Sequence, residues 1–500
     1  MIRLVTDYLD ASAQKFPDKT AFADENREIS FKETKEEAQR IATVLIKRGF
    51  FKKPVAVFMD KRVECIPVFM GIAYSGNFYT VVDVHMPVAR IEKIVDTLNP
   101  AVIIKDKKHE AATAAFAGES EVLLYEELAE QKADKEELRQ TRERIIDTDV
   151  LYVLFTSGST GNPKGVIISH KAVIAYVEWG AEAFSLNEDT IFGNQTPFYF
   201  VMSGFDIYQT LRNGCTTYVI PRRLFSFPVP LLSFIREHRI NTLYWVPSVL
   251  CLIANFKALP EVHLDDLKYV IFGGEVMPSK QLNMWRREYP DVKFVNSYGP
   301  TELTDVCTYY VVDREIDDRE SLPIGIPCNH MDILVLDENG QAVPYGEIGE
   351  LCGRGPSVAY GYYNNPEKTR EAFVQNPLNP NYPETIYRTG DLVRYNERGE
   401  LIYISRKDFQ IKHMGNRIEL GEIETAVSAL EGIDMNCCLY DTRRSKIVLF
   451  YVGSLEEKEV RERLKMAVPE YMVPNRIKKM KQLPMNLNGK IDRAKLKEML

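Results

Sequence analysis

Cysteine is scarce in this chain and never stands in C-x-x-C spacing. The eight residues Cys65, Cys215, Cys251, Cys307, Cys328, Cys352, Cys437 and Cys438 are scattered, mostly inside apolar surroundings. Such a pattern reads as reduced core thiols of a cytosolic protein, and the adjacent Cys437 and Cys438 as one strand facing two packed surfaces rather than a redox couple. Long hydrophobic runs are missing too, since none approaches the ~20 residues that span a bilayer. The opening Met1-Ile2-Arg3-Leu4-Val5-Thr6-Asp7-Tyr8 carries an early acid and helical periodicity in place of a signal peptide's apolar core, so the protein is expected in the cytoplasm, with no membrane partner. Basic residues are not in excess. With 63 Lys and Arg against 71 Asp and Glu, interspersed, the formal net charge of -8 offers no face for a nucleic-acid backbone. Internal repeats and low-complexity tracts are absent.

Two familiar nucleotide loops are also lacking. A Walker loop needs a second glycine five residues after its first, but five residues after Gly158 stands Pro163. No G-x-G-x-x-G follows a predicted strand, so a dinucleotide fold lacks its fingerprint. What the chain does have is Leu154-Phe155-Thr156-Ser157-Gly158-Ser159-Thr160-Gly161-Asn162-Pro163-Lys164-Gly165, an apolar strand running into glycine, hydroxyls and one lysine. Glycines let backbone N–H groups approach phosphate oxygens, hydroxyls add donors, and Lys164 adds a compact positive charge.

Five hundred residues, 45% hydrophobic and 27% charged, suit a globular protein of two or more domains. From about residue 50, β-branched runs such as Val55-Ala56-Val57-Phe58-Met59 and Ala101-Val102-Ile103-Ile104 alternate with helical patterns, which predicts an α/β fold with mostly parallel sheets. Residues 105–149, charged and rich in Ala and Glu, read as a solvated helical surface before the next core strand. Beyond Arg406 the character changes to a small unit with a strand over Lys446–Val452, a helix near 456–466 and a lysine-rich end.

Further motifs follow the glycine loop in order: Phe272-Gly273-Gly274-Glu275, Asn296-Ser297-Tyr298-Gly299-Pro300-Thr301-Glu302, Tyr387-Arg388-Thr389-Gly390-Asp391, Ser405-Arg406-Lys407-Asp408 and Asn488-Gly489-Lys490. Together they resemble the ANL superfamily of adenylate-forming enzymes, over essentially the whole chain. Asn194-Gln195-Thr196-Pro197-Phe198 and Phe205-Asp206-Ile207-Tyr208 look most like stand-alone peptide-synthetase adenylation domains and D-alanine:carrier-protein ligases. The resemblance implies a large N-terminal domain over 1–405, with mostly parallel sheets flanked by helices, and a small mobile α+β C-terminal domain over 406–500. It implies ATP-dependent activation of a carboxylic acid as an acyl-adenylate, with Mg²⁺, and transfer to a phosphopantetheine thiol.

The residues fit that chemistry. A carboxylate and the α-phosphate of ATP are both anions, so the site must place positive charge and donors where they meet. By the resemblance, the loop Thr156, Ser157, Gly158, Ser159, Thr160, Gly161 and Lys164 holds the β- and γ-phosphates. Glu302 binds Mg²⁺, and Tyr298 stacks on adenine near Gly274, Glu275, Asn296, Ser297, Gly299 and Thr301. Asp391 and Arg406 hold the ribose. Lys490 bridges carboxylate and α-phosphate. For the second reaction the small domain is expected to rotate about Lys407 and Asp408, and Gly415 to line the thiol's path.

One position departs from the pattern. Amino-acid-activating members carry an Asp that pairs with the α-ammonium at the residue after Phe200, and here it is Val201. An ammonium buried against valine costs several kcal/mol, so a plain α-amino acid is not the expected substrate. Gly273 stands where the D-alanine ligases tend to have cysteine. The remaining pocket wall, aligned to the family, is Phe200, Met202, Phe205, Trp245, Ile271, Gly273, Ser297, Asp305 and Val306. Asp305 lies three residues past Glu302, a helical spacing that leaves pocket and surface both open. Facing inward it suits an amine displaced from the α-carbon; facing outward it leaves a neutral aryl, keto or hydroxy acid. The chain carries no carrier segment after the lysine motif, so a separate carrier protein is expected as partner. Free coenzyme A is the alternative acceptor, and a plain amino-acid carrier-protein ligase is a further alternative.

Overall fold

The protein is described here from a computed structural model, which covers residues 2–109, 112–158, 162–329, 331–485 and 491–500. Ser159, Thr160, Gly161, Asn488, Gly489 and Lys490 lie outside the described residues. Among the described residues no helix is long and apolar enough to cross a membrane.

A six-stranded sheet forms first, in the order Glu121–Leu124, Val102–Lys105, Pro54–Phe58, Phe78–Val81, Val150–Thr156, Lys164–Ser169. All pairs are parallel except the last, which is antiparallel and carries the glycine loop as its connection. Its strands Pro54–Phe58 and Val102–Lys105 are buried throughout, as Val55 to Val57 and Val102 to Ile104 require when helices cover both faces. Helix Cys65–Tyr74 is one of these covers, and helix Phe31–Lys47 packs on it from outside. The start of the latter is set by a capping box in which Ser30 accepts from the Glu33 N–H, and its buried face meets the wholly buried Cys65–Tyr74. Within the segment read as a helical surface, Glu121–Leu124 is an edge strand, half-covered and paired on one side, so it lacks the strong apolar run that marks its neighbours.

The second sheet has nine strands, ordered Ile326–Pro327, Thr308–Val311, Lys293–Tyr298, Tyr269–Gly273, Thr242–Trp245, Ile191–Asn194, Thr216–Val219, Thr20–Ala23, Glu28–Ser30. Its central pairs are parallel, with antiparallel strands at both ends. A five-stranded antiparallel sheet built on Thr385–Tyr395 follows.

After the strand Leu401–Arg406 the chain makes the hairpin Gln410–His413 and Asn416–Glu419. A three-stranded sheet of Ile433–Asp441, Lys446–Gly453 and Arg476–Lys479 follows, with helices Leu420–Ser428 and Glu457–Lys465. The large core cluster ends at Leu401 with Tyr403 packed on it, whereas the last two clusters draw all their members from Ile411 onward. One short connection, Lys407 to Phe409, joins the two.

Candidate functional site

Several parallel strands end on one cleft. Gln195 and Thr196 follow Ile191–Asn194, Val246 follows Thr242–Trp245, Gly274 follows Tyr269–Gly273, and Gly299 with Pro300 follows Lys293–Tyr298. Thr156 and Ser157 reach it from the end of Val150–Thr156. Ligands of open α/β sheets bind outside the carboxyl ends of the strands, where backbone groups and loops converge. The cleft holds about 1000 Å³ of space open to solvent.

The hairpin after Arg406 forms its opposite wall through Gln410, Lys412, Met414, Gly415 and Arg417. Gly415 has φ +76°, and a Cβ there would stand 2.6 Å from Val246 Cγ1, so only glycine fits this approach without displacement. Lys412 Nζ lies 5.0 Å from the centre of the Tyr298 ring. The Tyr298 hydroxyl donates to Asp391 Oδ2, while Asp391 Oδ1 accepts from Arg406 Nη1 at 2.7 Å. Arg406 Nε in turn donates to Asp408 Oδ1 at 2.6 Å, and Lys407 Nζ donates to Glu350 Oε2 at 3.1 Å.

Glu302 is fully buried. Tyr362 Oη donates to its Oε1 at 2.8 Å and Arg417 Nη1 to its Oε2 at 2.6 Å. Burial opposes its charge, yet the Arg417 guanidinium, Lys164 and the Tyr362 hydroxyl hold its carboxyl at about 2. Burial pushes the Lys164 ammonium below its usual range, helped by Arg417 nearby. Ser157 Oγ donates to the Arg417 carbonyl at 2.7 Å and accepts from the Glu419 N–H at 3.2 Å, while the Gly158 N–H donates to Glu422 Oε2 at 3.3 Å. Gly158 has no room for a side chain, because a Cβ would overlap the Asn162 carbonyl.

The structure brings Phe200, Val201, Met202, Ser297 and Asp305 to the cleft wall. Asp305 faces inward. Tyr176 and Tyr244 both donate to its Oδ2, Tyr244 at 2.9 Å, and among the described residues no hydrogen bond reaches Oδ1. Burial pushes its carboxyl up to about 6 despite those two donors. The helical spacing from Glu302 is not what aims it. The short helix Thr301–Leu303 stops, and Thr304 and Asp305 take φ of 56° and 78°, a left-handed turn that breaks the helical spacing from Glu302.

Other members of the expected wall lie elsewhere. Trp245 is on the opposite face of its strand, fully buried in the second core cluster, with Nε1 donating to the Gly193 carbonyl at 2.7 Å. Strand alternation gives the cleft to its neighbour Tyr244 instead. Phe205, Ile271 and Val306 pack in the core behind that layer, Phe205 with its ring 5.2 Å from that of Tyr244, and Gly273 is closed off against Ser297. Of the residues expected around the nucleotide, Glu275 caps the helix Pro247–Asn255 by accepting from the Ser248 N–H at 3.1 Å, and Asn296 donates to the Pro323 carbonyl at 2.7 Å. Neither lines the cleft, and Tyr298, Glu302 and Lys164 also stand outside its lining. Tyr244, Lys412 and Arg417 were missed by sequence reasoning. Lys412 and Arg417 flank Gly415 closely enough for its motif to have pointed to them.

This arrangement is that of an AMP-binding enzyme, and the chain belongs to that family, whose model matches residues 9–363. It is 31% identical over 519 residues to the D-alanine–D-alanyl carrier protein ligase of Lacticaseibacillus casei, covering 99% of both chains. It is 32% identical over 506 residues to bacitracin synthase 3 of Bacillus licheniformis, where 99% of this chain spans only 8% of the relative. Its fold is similar to that of the amide bond synthetase McbA of Marinactinospora thermotolerans, with a TM-score of 0.87 at 18% identity over 99% of each chain.

Proposed function

We propose that this protein activates a carboxylic acid with ATP and passes the acyl group to the phosphopantetheine thiol of a separate carrier protein. The observation that carries the reading is the convergence of Thr156 and Ser157 at the start of the glycine loop, Asp391, Gly415 and Arg417, which holds the buried Glu302, on one cleft of an AMP-binding enzyme. In the first reaction a carboxylate oxygen bonds to the α-phosphorus and the bond to the β-phosphate oxygen breaks, releasing pyrophosphate. In the second the thiol sulfur, giving up its proton, bonds to the acyl carbon and AMP leaves.

Thr156, Ser157 and Gly158, with Ser159, Thr160, Gly161 and Lys164, cradle the phosphates. Asp391 and Arg406 hold the ribose and Tyr298 the adenine. Lys490 neutralises the meeting anions. Glu302 suits Mg²⁺, being a carboxylate oxygen donor that Arg417 and Lys164 favour in its charged form. The metal, when bound, draws charge from the phosphates. Residues 1–405 and 406–500 act as two units that turn about Lys407 and Asp408, and the arrangement with Gly415 against Val246 suits the thiol reaction.

Of the two acids lining the cleft, Asp391 is engaged at both oxygens by Arg406 and Tyr298, whereas Asp305 takes both of its hydrogen bonds on Oδ2. With Val201 in the α-ammonium position, this favours an acid whose amine stands away from the α-carbon, as in a β-amino acid. The test is thioester formation, followed by mass spectrometry, with a phosphopantetheinylated carrier protein and with coenzyme A. Acylation of the carrier is the expected result, and exclusive acylation of coenzyme A overturns the carrier assignment.

A further inference from the structure

A second group of ionisable side chains, none of which lines the cleft, stands at the carboxyl ends of Pro54–Phe58 and Val102–Lys105, neighbouring strands of the six-stranded sheet. Asp60 follows the first strand, Asp106 and His109 the second. Each of the three brings a carboxylate oxygen or a ring nitrogen into a group whose ligand atoms all lie within 4.8 Å of one another. The group is held in place. Asp106 is 1% exposed, and its Oδ1 accepts from the His109 N–H at 3.1 Å, while among the described residues no hydrogen bond reaches its Oδ2. Phe58 packs edge-on against the His109 ring, with centroids 5.7 Å apart, and Nε2 of that ring is also without a hydrogen bond. Yet Nε2 faces Asp60 Oδ2 at 3.2 Å. Two electron-pair donors this close need a positive centre between them, either a proton or a metal ion.

We propose that Asp60, Asp106 and His109 form a binding site for a divalent transition-metal ion such as Zn²⁺, separate from the Mg²⁺ assigned to Glu302. One ring nitrogen and two carboxylate oxygens are ligands that Zn²⁺ takes, whereas Mg²⁺ prefers oxygen alone. A tetrahedral ion bound at ~2.1 Å sets its ligands ~3.5 Å apart, so the group has to close by little more than about 1 Å. His85, exposed and with Nε2 3.7 Å from Asp60 Oδ1, stands within reach as a fourth ligand. Two cations compete with the ion. Lys108 Nζ pairs with Asp60 Oδ2 from an exposed position, where an ion pair has little strength. Arg62 Nη2 lies 3.4 Å from Asp106 Oδ2, but its guanidinium also has Glu64 at 3.6 Å and Glu126 at 4.0 Å to balance its charge. A single residue links the site to the cleft. Lys61, next to Asp60, donates to the carbonyls of Asn194 and Gln195 at 3.3 and 3.0 Å, and Gln195 lines the cleft. The ion thus fixes the loop behind the cleft wall and takes no part in the reaction.

The test titrates Zn²⁺ into the full chain, stripped of metal, by calorimetry, with excess Mg²⁺ present to occupy oxygen-only sites and circular dichroism to establish folding. Asp60→Asn and His109→Gln should each weaken Zn²⁺ binding about tenfold or more, since even a neighbour that orients a metal ligand is worth that much in affinity. Lys108→Ala removes the ammonium that the ion displaces, so it should tighten binding about threefold. Its exposed position keeps this variant informative if the other two fail to fold. Zn²⁺ should also raise the Tm of the parent and leave that of Asp60→Asn unchanged. Absence of Zn²⁺ binding, or equal binding by the parent, Asp60→Asn and His109→Gln, overturns the proposal, because any ion then sits elsewhere on the chain. Unchanged or weaker binding by Lys108→Ala overturns it as well.

Discussion

Tyr244 and Asp305, 61 residues apart, meet at 2.9 Å across the floor of the cleft, and the hydroxyl that joins them uses only one of the two carboxylate oxygens. A carboxylate held this way, desolvated in the cleft lining and hydrogen-bonded through Oδ2 alone among the described residues, suits a cation. Asp305→Asn should therefore lower kcat/KM for a β-amino acid about a hundredfold, the scale of losing a few kcal/mol of buried charge pairing. Acids without an amine should change little. Equal loss for both kinds of acid, measured by ATP–pyrophosphate exchange, would remove Asp305 from substrate recognition.

Protonation should reproduce that effect. Because burial raises the Asp305 carboxyl to about 6, KM for an amine-bearing acid should climb as pH falls below about 6 in the parent. Asp305→Asn should abolish that climb. The effect on stability has the opposite sign. The folded protein holds this proton more tightly than the unfolded chain, so ionisation destabilises the ligand-free fold above about pH 6, and that loss fades as pH falls towards 4. A higher Tm of Asp305→Asn than of the parent at pH 8, with the gap closing at pH 4 to 5, is the expected calorimetric result.

Gly415→Ala places a methyl 2.6 Å from Val246 Cγ1 at a φ of +76°. It should slow thioester formation at least tenfold while leaving pyrophosphate exchange near normal, as expected from a clash confined to one arrangement of the small unit. Adding Val246→Ala should restore part of the loss. Equal slowing of both reactions would mean that the glycine serves the fold alone.

Lys490→Ala should nearly abolish adenylate formation and spare transfer from a preformed acyl-adenylate, since only the first reaction joins two anions. Rapid-quench assays of each half-reaction decide this.

Much of the architecture was legible because its signals are local. The runs around Val55, Ile103 and Val448 became strands, and the segment near 456–466 became the helix Glu457–Lys465. What stayed illegible depended on geometry between distant elements. Nothing in Tyr244-Trp245 tells which of the two faces the cleft, because period-two alternation fixes their opposition but not its sense. The inward turn of Asp305 rests on two non-glycine residues in left-handed conformation, which a helical spacing does not foresee. Arg417 was unreadable as a partner of Glu302 because 115 residues separate them.

The central claim, adenylation of an acid whose amine stands off the α-carbon, is tested most directly by ATP–pyrophosphate exchange over a panel of β-amino, α-amino, aryl, keto and hydroxy acids. The account predicts exchange that depends on added acid and is fastest with a β-amino acid. Fastest exchange with D-alanine or another plain α-amino acid would contradict it.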